Sequence, residues 1–361
     1  MEIKKDFWKG KNVLITGHTG FKGSWLSLWL SYLGANVTGI SLDPDTDPNL
    51  YSQIKIYNEI NSLRININDF NRLNNTIKDL KPEIIFHLAA QPLVIESYLD
   101  PVNTFHTNFI GTLNILESIR FCDSVRCAVL ITTDKVYENN DENHAYKEQE
   151  KLNGDDPYSA SKAASEILIN SYAKSFFRKD SDKNDNPLIA SVRAGNVIGG
   201  GDWAKDRIIP DAVKSFSQDK DLLIRYPNSI RPWQNVLEPL SGYLLIAQNL
   251  FLNRTDYTGS WNFGPDEKEE TVMNVITKLK KEWGTNSNII INEKNNHHHE
   301  AKILKLDCTK AKTKLNWRPQ WSLDITISKL TKWYKSIENE EMLRNICISD
   351  IEEYTTTFNN K

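Results

Sequence analysis

Three observations in the 361-residue sequence predict a doubly wound α/β fold with a smaller, mixed α/β part after it. Short apolar runs alternate with helical patterns from residue 12 to about 197, the order expected of parallel strands joined by right-handed crossovers. A glycine-rich turn closes the first run and opens the first helix. After residue 196 the texture becomes loop-rich, with shorter elements. The expected division is residues 1–193 as a dinucleotide-binding domain and 194–361 as a substrate domain, the chain crossing back to the first around 233–265.

The elements follow in order. NVLITG (12–17) reads as a buried strand. In FKGSWLSLWLSYLG, Phe21, Trp25, Leu26, Leu28, Trp29 and Leu33 form a broad helical stripe, and Gly34 is a stop signal. NVTGISL (36–42) is the second strand and LRINI (63–67) the third, with the loop DPDTDPN between them. Phe70, Leu73, Ile77 and Leu80 recur at helical spacing before Pro82. EIIFHLAA (83–90), CAVLITT (127–133) and LIASVRAGNV (188–197) are the remaining strands, separated by helices over 102–121 and 158–177.

Composition narrows the function classes. Hydrophobic residues at 39% and charged residues at 25% are ordinary globular values, so a large core is within reach. A net charge of −3 provides no basic field for nucleic acid or an anionic membrane. No apolar run reaches the roughly 18 residues of a membrane span, and the charged start MEIKKDFWKGK shows no secretory pattern. Cys122, Cys127, Cys308 and Cys347 fit no CxxC framework, so reduced thiols and a cytoplasmic setting are expected. His297 to His299 have no second ligand cluster at suitable spacing, and no metal is expected.

The chemistry-bearing motifs are three. Gly17, Gly20 and Gly23 form GxxGxxG between the first strand and the first helix, where backbone can approach a pyrophosphate and the helix N-terminus supplies N–H donors. Asp43, twenty residues after Gly23, is the candidate ribose contact. No arginine follows it immediately, which favours NAD over NADP. Tyr158 and Lys162 form YxxxK, four residues apart on one helix face, where a cation favours the phenolate of a general base. Thr133, Asp134 and Lys135 end the fifth strand, and the question they pose is whether the acid and base are a surface pair or part of the chemistry.

With these residues in hand, the sequence resembles the extended short-chain dehydrogenase/reductase family. Within it the chain is similar to the CDP-glucose branch of the sugar-nucleotide 4,6-dehydratases. TGHTGFKGSWL, FHLAAQPLV, TTDKVY, DPYSASK, SVRAGNVIGGGDWAKDRIIPD, SIRPWQNVLEPLSGY, WNFGP and HEAKILKLDC carry the resemblance over nearly the whole chain. Other branches place Asp-Glu after the threonine, and here the pair is Asp134-Lys135. The resemblance implies NAD held by Gly17, Thr19, Gly20, Phe21, Gly23, Asp43, Asn66, Ile67, Leu88, Ala89, Ala90, Tyr158 and Lys162. It implies a nucleotide-sugar substrate held by Gln91, Asn196, Asp202, Trp203, Arg207 and Arg231, and a homodimer. It further implies oxidation at C4, loss of water across C5 and C6, and reduction at C6, with Tyr158 as base, Thr133 as its partner, Asp134 as acid and Lys135 acting at C5. Two departures stand out. The arginine that usually follows AAQPLV is absent from Ile95-Glu96, and the usual aspartate of the adenine contact is Asn66. His299 and Glu300 match the family's HEA segment without an assigned role.

Overall fold

The structure is a computed structural model describing residues 1–177, 186–266, 270–291 and 301–360. Six strands of the first half form its main sheet: β1 (Asn12–Thr16), β2 (Asn36–Ser41), β3 (Asn61–Arg64), β4 (Ile84–His87), β5 (Cys127–Ile131) and β6 (Leu188–Ala194). A seventh strand, Gly259–Phe263, joins beside β6. The order is Gly259–Phe263, β6, β5, β4, β1, β2, β3, and every pairing is parallel. The order reverses between β1 and β4, and the crevice at that switch point is where such sheets bind ligands.

Burial on both faces explains why these strands read as apolar runs rather than alternating ones. All residues of β4, β5 and β6 are buried. Successive side chains point to opposite faces. Val13, Ile15, Ile84, Phe86 and Val129 enter one core, which also takes the helices Phe21–Tyr32 and Leu237–Phe251. Leu14, Ile85, Ala128, Leu130 and Ile189 enter the other, under the helices Phe70–Leu80, Gly111–Arg120 and Pro157–Ser175. The Phe21–Tyr32 helix is apolar nearly all round because it is covered twice, by the sheet and by the long helix Glu340–Asn359.

The structure refines four expected elements. The third strand is Asn61–Arg64 rather than 63–67: the Ile65 N–H makes a last bond to Ser41 O at 3.0 Å, and Ile67 is buried beyond the end of pairing. Their apolar character reflects the core, not the ladder. The helix expected over 102–121 is two helices, Pro101–Phe105 and Gly111–Arg120, joined by a π-helical turn at His106–Ile110. Cys127–Ile131 ends before Thr132, and Thr133 caps a short turn by accepting from the Lys135 N–H. The sixth strand stops at Ala194. A Cβ on Gly195 would meet the Pro232 ring at 2.2 Å, so the chain turns there, and Val197–Ile198 pairs instead with Gln234–Asn235.

The remaining part contains short strands and helices. Leu222–Ile224 pairs in parallel with Ile289–Ile291, and Ile230–Arg231 pairs antiparallel with Glu270–Thr271. Among the described residues no helix is long and apolar enough to cross a membrane. The four cysteines are buried and unpaired with one another.

Candidate active site

The glycine turn stands at the switch point. Gly17 has φ +77°, and a Cβ there would lie 2.6 Å from the Ala89 nitrogen at the end of β4. A Cβ on Gly23 would lie 2.0 Å from the Gly17 oxygen. These two glycines are demanded by close approach of backbone to backbone. Gly20 is different: its Cβ would meet only the Gly17 oxygen, at 3.5 Å, so the middle of the turn is an open cradle. It precedes a twelve-residue helix whose leading N–H groups have no intrahelical acceptors. An open, glycine-lined concavity before such a helix fits a dinucleotide pyrophosphate. Thr19 ties the turn to the end of β2 by donating to Leu42 O (3.1 Å) while bonding Ser41 Oγ (2.8 Å). Phe21 is half-buried at the helix start.

Leu88, Ala89 and Ala90 are half-buried along the same crevice. The Leu88 N–H donates to Thr16 O, and the Ala89 N–H to Thr16 Oγ1. Ile67 is buried against Gly111, with Asn114 Nδ2 donating to its carbonyl. Asn66 is exposed, and its Oδ1 accepts from the Asn68 N–H at 2.9 Å. Asp43 is exposed and lies against Arg64, with Nε donating to Oδ1 at 2.6 Å. The arginine missing after Asp43 in the sequence is therefore supplied by the end of β3.

Thr133, Asp134, Tyr158 and Lys162 are all buried and all converge at the C-terminal end of β5. The Pro157–Ser175 helix presents the last two; its Pro157 sits in the first turn, and Asp156 caps it by accepting from the Ser159 N–H. Burial raises the Tyr158 phenol to about 12, with the Thr133 hydroxyl and Arg207 pulling the other way. The YxxxK motif predicts a lowered value; in the folded chain desolvation wins. The Lys162 ammonium donates to Ile131 O at 3.0 Å and is itself lowered to about 8 by burial and by Lys22.

Asp134 is the unusual acid. Its Oδ1 accepts from the Thr133 hydroxyl at 3.1 Å, while its buried Oδ2 has no partner among the described residues. Burial raises its pKa, and Lys135, Thr133, Arg231 and Lys22 offset that only in part. A carboxyl held this way is suited to carry a proton. Lys135 is half-buried beside it.

Sequence reasoning missed Lys22, inside the glycine turn. Burial and Arg207 lower its pKa to about 8, and Asp134 and Asp202 pull it back up. Only its position in GFKG, between two motif glycines, could have drawn attention to it. Arg207 is half-exposed and donates to Asp202 Oδ2 at 3.0 Å; Asp202 raises its pKa. Arg231 is buried near Asp134 and donates to the carbonyls of Ile230 and Lys302. A cavity of about 170 Å³ opens against it, lined by Trp233, Glu270 and Lys305 among others. Asn196 is half-buried where the chain leaves β6, its carbonyl accepting from the Gln234 N–H.

Two expected contacts are engaged elsewhere. The Gln91 amide bonds its own loop at Leu93 and the Thr104 hydroxyl. Trp203 donates to Gln53 Oε1 and packs edge-on to Tyr334, which makes it a clamp between distant elements. His299 and Glu300 lie outside the described residues. Among the described residues no group of three His, Cys, Asp or Glu side chains is placed for a metal.

The sheet order, the open glycine turn at its switch point and the buried Thr133–Tyr158–Lys162 cluster define an enzyme of the short-chain dehydrogenase/reductase type. Comparison with known proteins narrows this. The chain belongs to the GDP-mannose 4,6-dehydratase family, whose model matches residues 14–330. It is 47% identical over 360 residues to the CDP-glucose 4,6-dehydratase of Salmonella typhimurium, covering 98% of this chain and 99% of that one. Among solved structures it is similar to UDP-glucose 4-epimerase of Thermotoga maritima (TM-score 0.78, 21% identity, 91% of this chain and 100% of that one). It is also similar to dTDP-glucose 4,6-dehydratase of Bacillus anthracis, solved with NAD (TM-score 0.74, 20% identity, 93% and 100%). At those identities the structures share the fold.

Proposed function

We propose that the protein is an NAD-dependent CDP-glucose 4,6-dehydratase, converting CDP-D-glucose to CDP-4-dehydro-6-deoxy-D-glucose. The observation that carries the reading is Asp134, a buried carboxyl next to Lys135 and touching Thr133, with one oxygen that has no partner among the described residues. A 4-epimerase needs the tyrosine–lysine pair alone and has no use for a proton-bearing acid there. The full-length identity to the Salmonella enzyme supports the nucleotide.

NAD fits the glycine turn, Leu88–Ala90 and Lys162, and when bound it supplies a hydride acceptor whose hydride is later returned, so the reaction is redox-neutral. Tyr158 Oη takes the proton of the sugar 4-hydroxyl, which Thr133 Oγ1 holds in place. Its high pKa in the protein alone means that ionisation needs added positive charge beside it. Lys162, at the same end of β5, would hold the cofactor ribose, and the oxidised nicotinamide of bound NAD would bring that charge. The resulting 4-ketone acidifies the C5 hydrogen. Lys135, as the neutral amine, takes the C5 proton and later returns it, and Asp134 delivers its proton to the departing C6 hydroxyl, so that water leaves across C5 and C6. Arg207 and Arg231 hold the substrate diphosphate, guanidinium forks being matched to phosphate oxygens. Asn196 and Asp202 border the sugar nucleotide, while Gln91 and Trp203, whose polar groups are taken up by Leu93, Thr104 and Gln53, brace the surrounding loops. Residues 1–193, with 233–265 returning to the same sheet, form the cofactor part, and the rest of 194–361 the substrate part. Two copies pair through the segments 102–121 and 158–177, whose Val102, Phe105, Phe121, Ile167 and Phe176 are exposed.

The test is incubation with NAD and each of CDP-, dTDP-, UDP- and GDP-sugars, read by NMR for a 4-keto-6-deoxy product. CDP-glucose should turn over. Product from dTDP-glucose in its place would overturn the nucleotide assignment, and product from none would overturn the dehydratase reading.

A further inference from the structure

The edge of the sheet beyond the glycine turn carries an ion pair, Asp43–Arg64, whose arginine has no part in the reading above. β2 and β3 end in register, Ser41 opposite Arg64, and Asp43 follows two residues after β2. Arg64 reaches back over that end. Its Nε donates to Asp43 Oδ1 at 2.6 Å and its Nη1 to Ser62 Oγ at 2.8 Å. Its guanidinium carbon lies 5.1 Å from the centre of the Tyr51 ring, and the Tyr51 hydroxyl bonds the same Ser62 oxygen. The guanidinium is thus held on several sides, yet the side chain is 38% exposed and its Asp43 partner 86% exposed. The glycine turn is fastened to this end of the sheet by Thr19, through Ser41 and Leu42. His18, within the turn, also bonds Ser62 and is kept neutral near pH 7 by burial and by Arg64.

In this fold the acid after β2 accepts from the ribose hydroxyls of a dinucleotide, and a carboxylate alone there repels a 2′-phosphate. A nearby arginine does the reverse, because its planar fork matches phosphate oxygens. This chain presents both groups, already touching.

We propose that Arg64 is a specificity-determining residue at the adenosine ribose: the Asp43–Arg64 pair makes the pocket tolerant of a 2′-phosphate, and Asp43 is the barrier that keeps NAD ahead of NADP. The proposal rests on the reading of the glycine turn as the dinucleotide site. With a 2′-hydroxyl ligand, Asp43 holds Arg64 through Oδ1 and has Oδ2 for the ribose. With a 2′-phosphate ligand, the guanidinium faces the phosphate and offsets the carboxylate.

The experiment is calorimetric titration of nucleotide-free protein with NAD and with NADP, in the wild type, Asp43→Asn, Arg64→Ala and the double variant. Asp43→Asn should bind NADP about tenfold or more tightly than the wild type, the gain expected when a charge-assisted contact replaces a repulsion. Its NAD affinity should fall, and the double variant should lose the NADP gain. No NADP gain in Asp43→Asn, or a gain that survives Arg64→Ala, overturns the proposal. If the wild type binds neither dinucleotide, the cofactor reading falls and takes this inference with it; NAD binding with an unchanged NADP affinity in Asp43→Asn sinks the inference alone. A second measurement needs no variant. Adenosine 2′,5′-bisphosphate should bind the wild type no more than about tenfold weaker than 5′-AMP, and a larger penalty overturns the proposal.

Discussion

Just past the end of β5, adjacent threonines serve two buried carboxyls that are built to opposite ends. Thr132 donates to Glu166, whose carboxylate also receives Arg193 through Nε and Nη2, both at 2.9 Å, and the hydroxyls of Ser191 and Ser260. Arg193 in turn donates to the Tyr137 hydroxyl, which donates to Asn262. Burial alone would raise the Glu166 pKa, but Arg193 and these hydroxyls hold it below the usual range. Thr133 faces Asp134, which has the same burial and a raised pKa but, among the described residues, one hydrogen bond and one oxygen without a partner. Desolvation acts on both acids. The difference lies in how many donors meet the carboxylate. A saturated carboxylate is a clamp, here joining β5, β6, the Gly259–Phe263 strand and the Pro157–Ser175 helix. An undersatisfied one keeps a proton available for chemistry.

The sharpest way to test that contrast is on the active-site side. Tyr158→Phe, which removes only the hydroxyl proposed as general base, should lower turnover by up to about 10⁴-fold while the melting temperature stays close to wild type. Loss of stability comparable to the loss of activity would mean that this side, too, is a clamp. Next in size, Glu166→Ala should destabilise the fold by roughly 3–5 kcal/mol, because Arg193 is left buried and unpaired; chemical denaturation measures it. A variant as stable as the wild type would remove the clamp from the comparison.

Asp134→Asn should lower overall turnover by roughly 10²-fold and leave C4 oxidation in place. Lys135→Met should stall at the same stage. In both, single-turnover absorbance at 340 nm should show reduced cofactor persisting on the enzyme. Normal turnover by either variant would remove that residue from the elimination.

The smallest effect is in the pH dependence of stability. The folded-state pKa of Glu166 is depressed, so its contribution is complete above the ordinary value of 4.5 and is lost as pH falls through the lower folded value. Asp134 has the opposite sign: its folded pKa is raised, so stability is lost as pH rises from the ordinary 3.8 through the raised value. Melting curves from pH 3 to 7 should therefore show a shallower acid limb in Glu166→Gln and a smaller loss on the rising side in Asp134→Asn. Identical pH profiles in all three proteins would contradict both signs.

Much of the fold and of the site is legible in the order of residues alone. The glycine turn and YxxxK are each contained in one turn or one helix face, so their spacing is their geometry. The parallel sheet is legible because β4, β5 and β6 are buried on both faces and so are written as apolar runs. The end of β3 is not, because Ile67 is buried beyond the last bond to β2, made by the Ile65 N–H, and burial is all that apolar character reports. The role of Glu166 is invisible for a similar reason: nothing in a helix sequence announces a strand arginine 27 residues later.

By itself, then, the sequence determined the order of elements, the glycine turn, the tyrosine–lysine face and the acid–base pair at the end of β5. Each depends on residues within a few positions of one another, where backbone geometry leaves little choice. Only the tertiary structure decided that Arg64 meets Asp43, that Lys22 shares its field with Asp134 and Lys162, and that Thr132 and Thr133 serve different acids. Those pairings cross strands, and strand order and register, which no local pattern encodes, set which charges become neighbours.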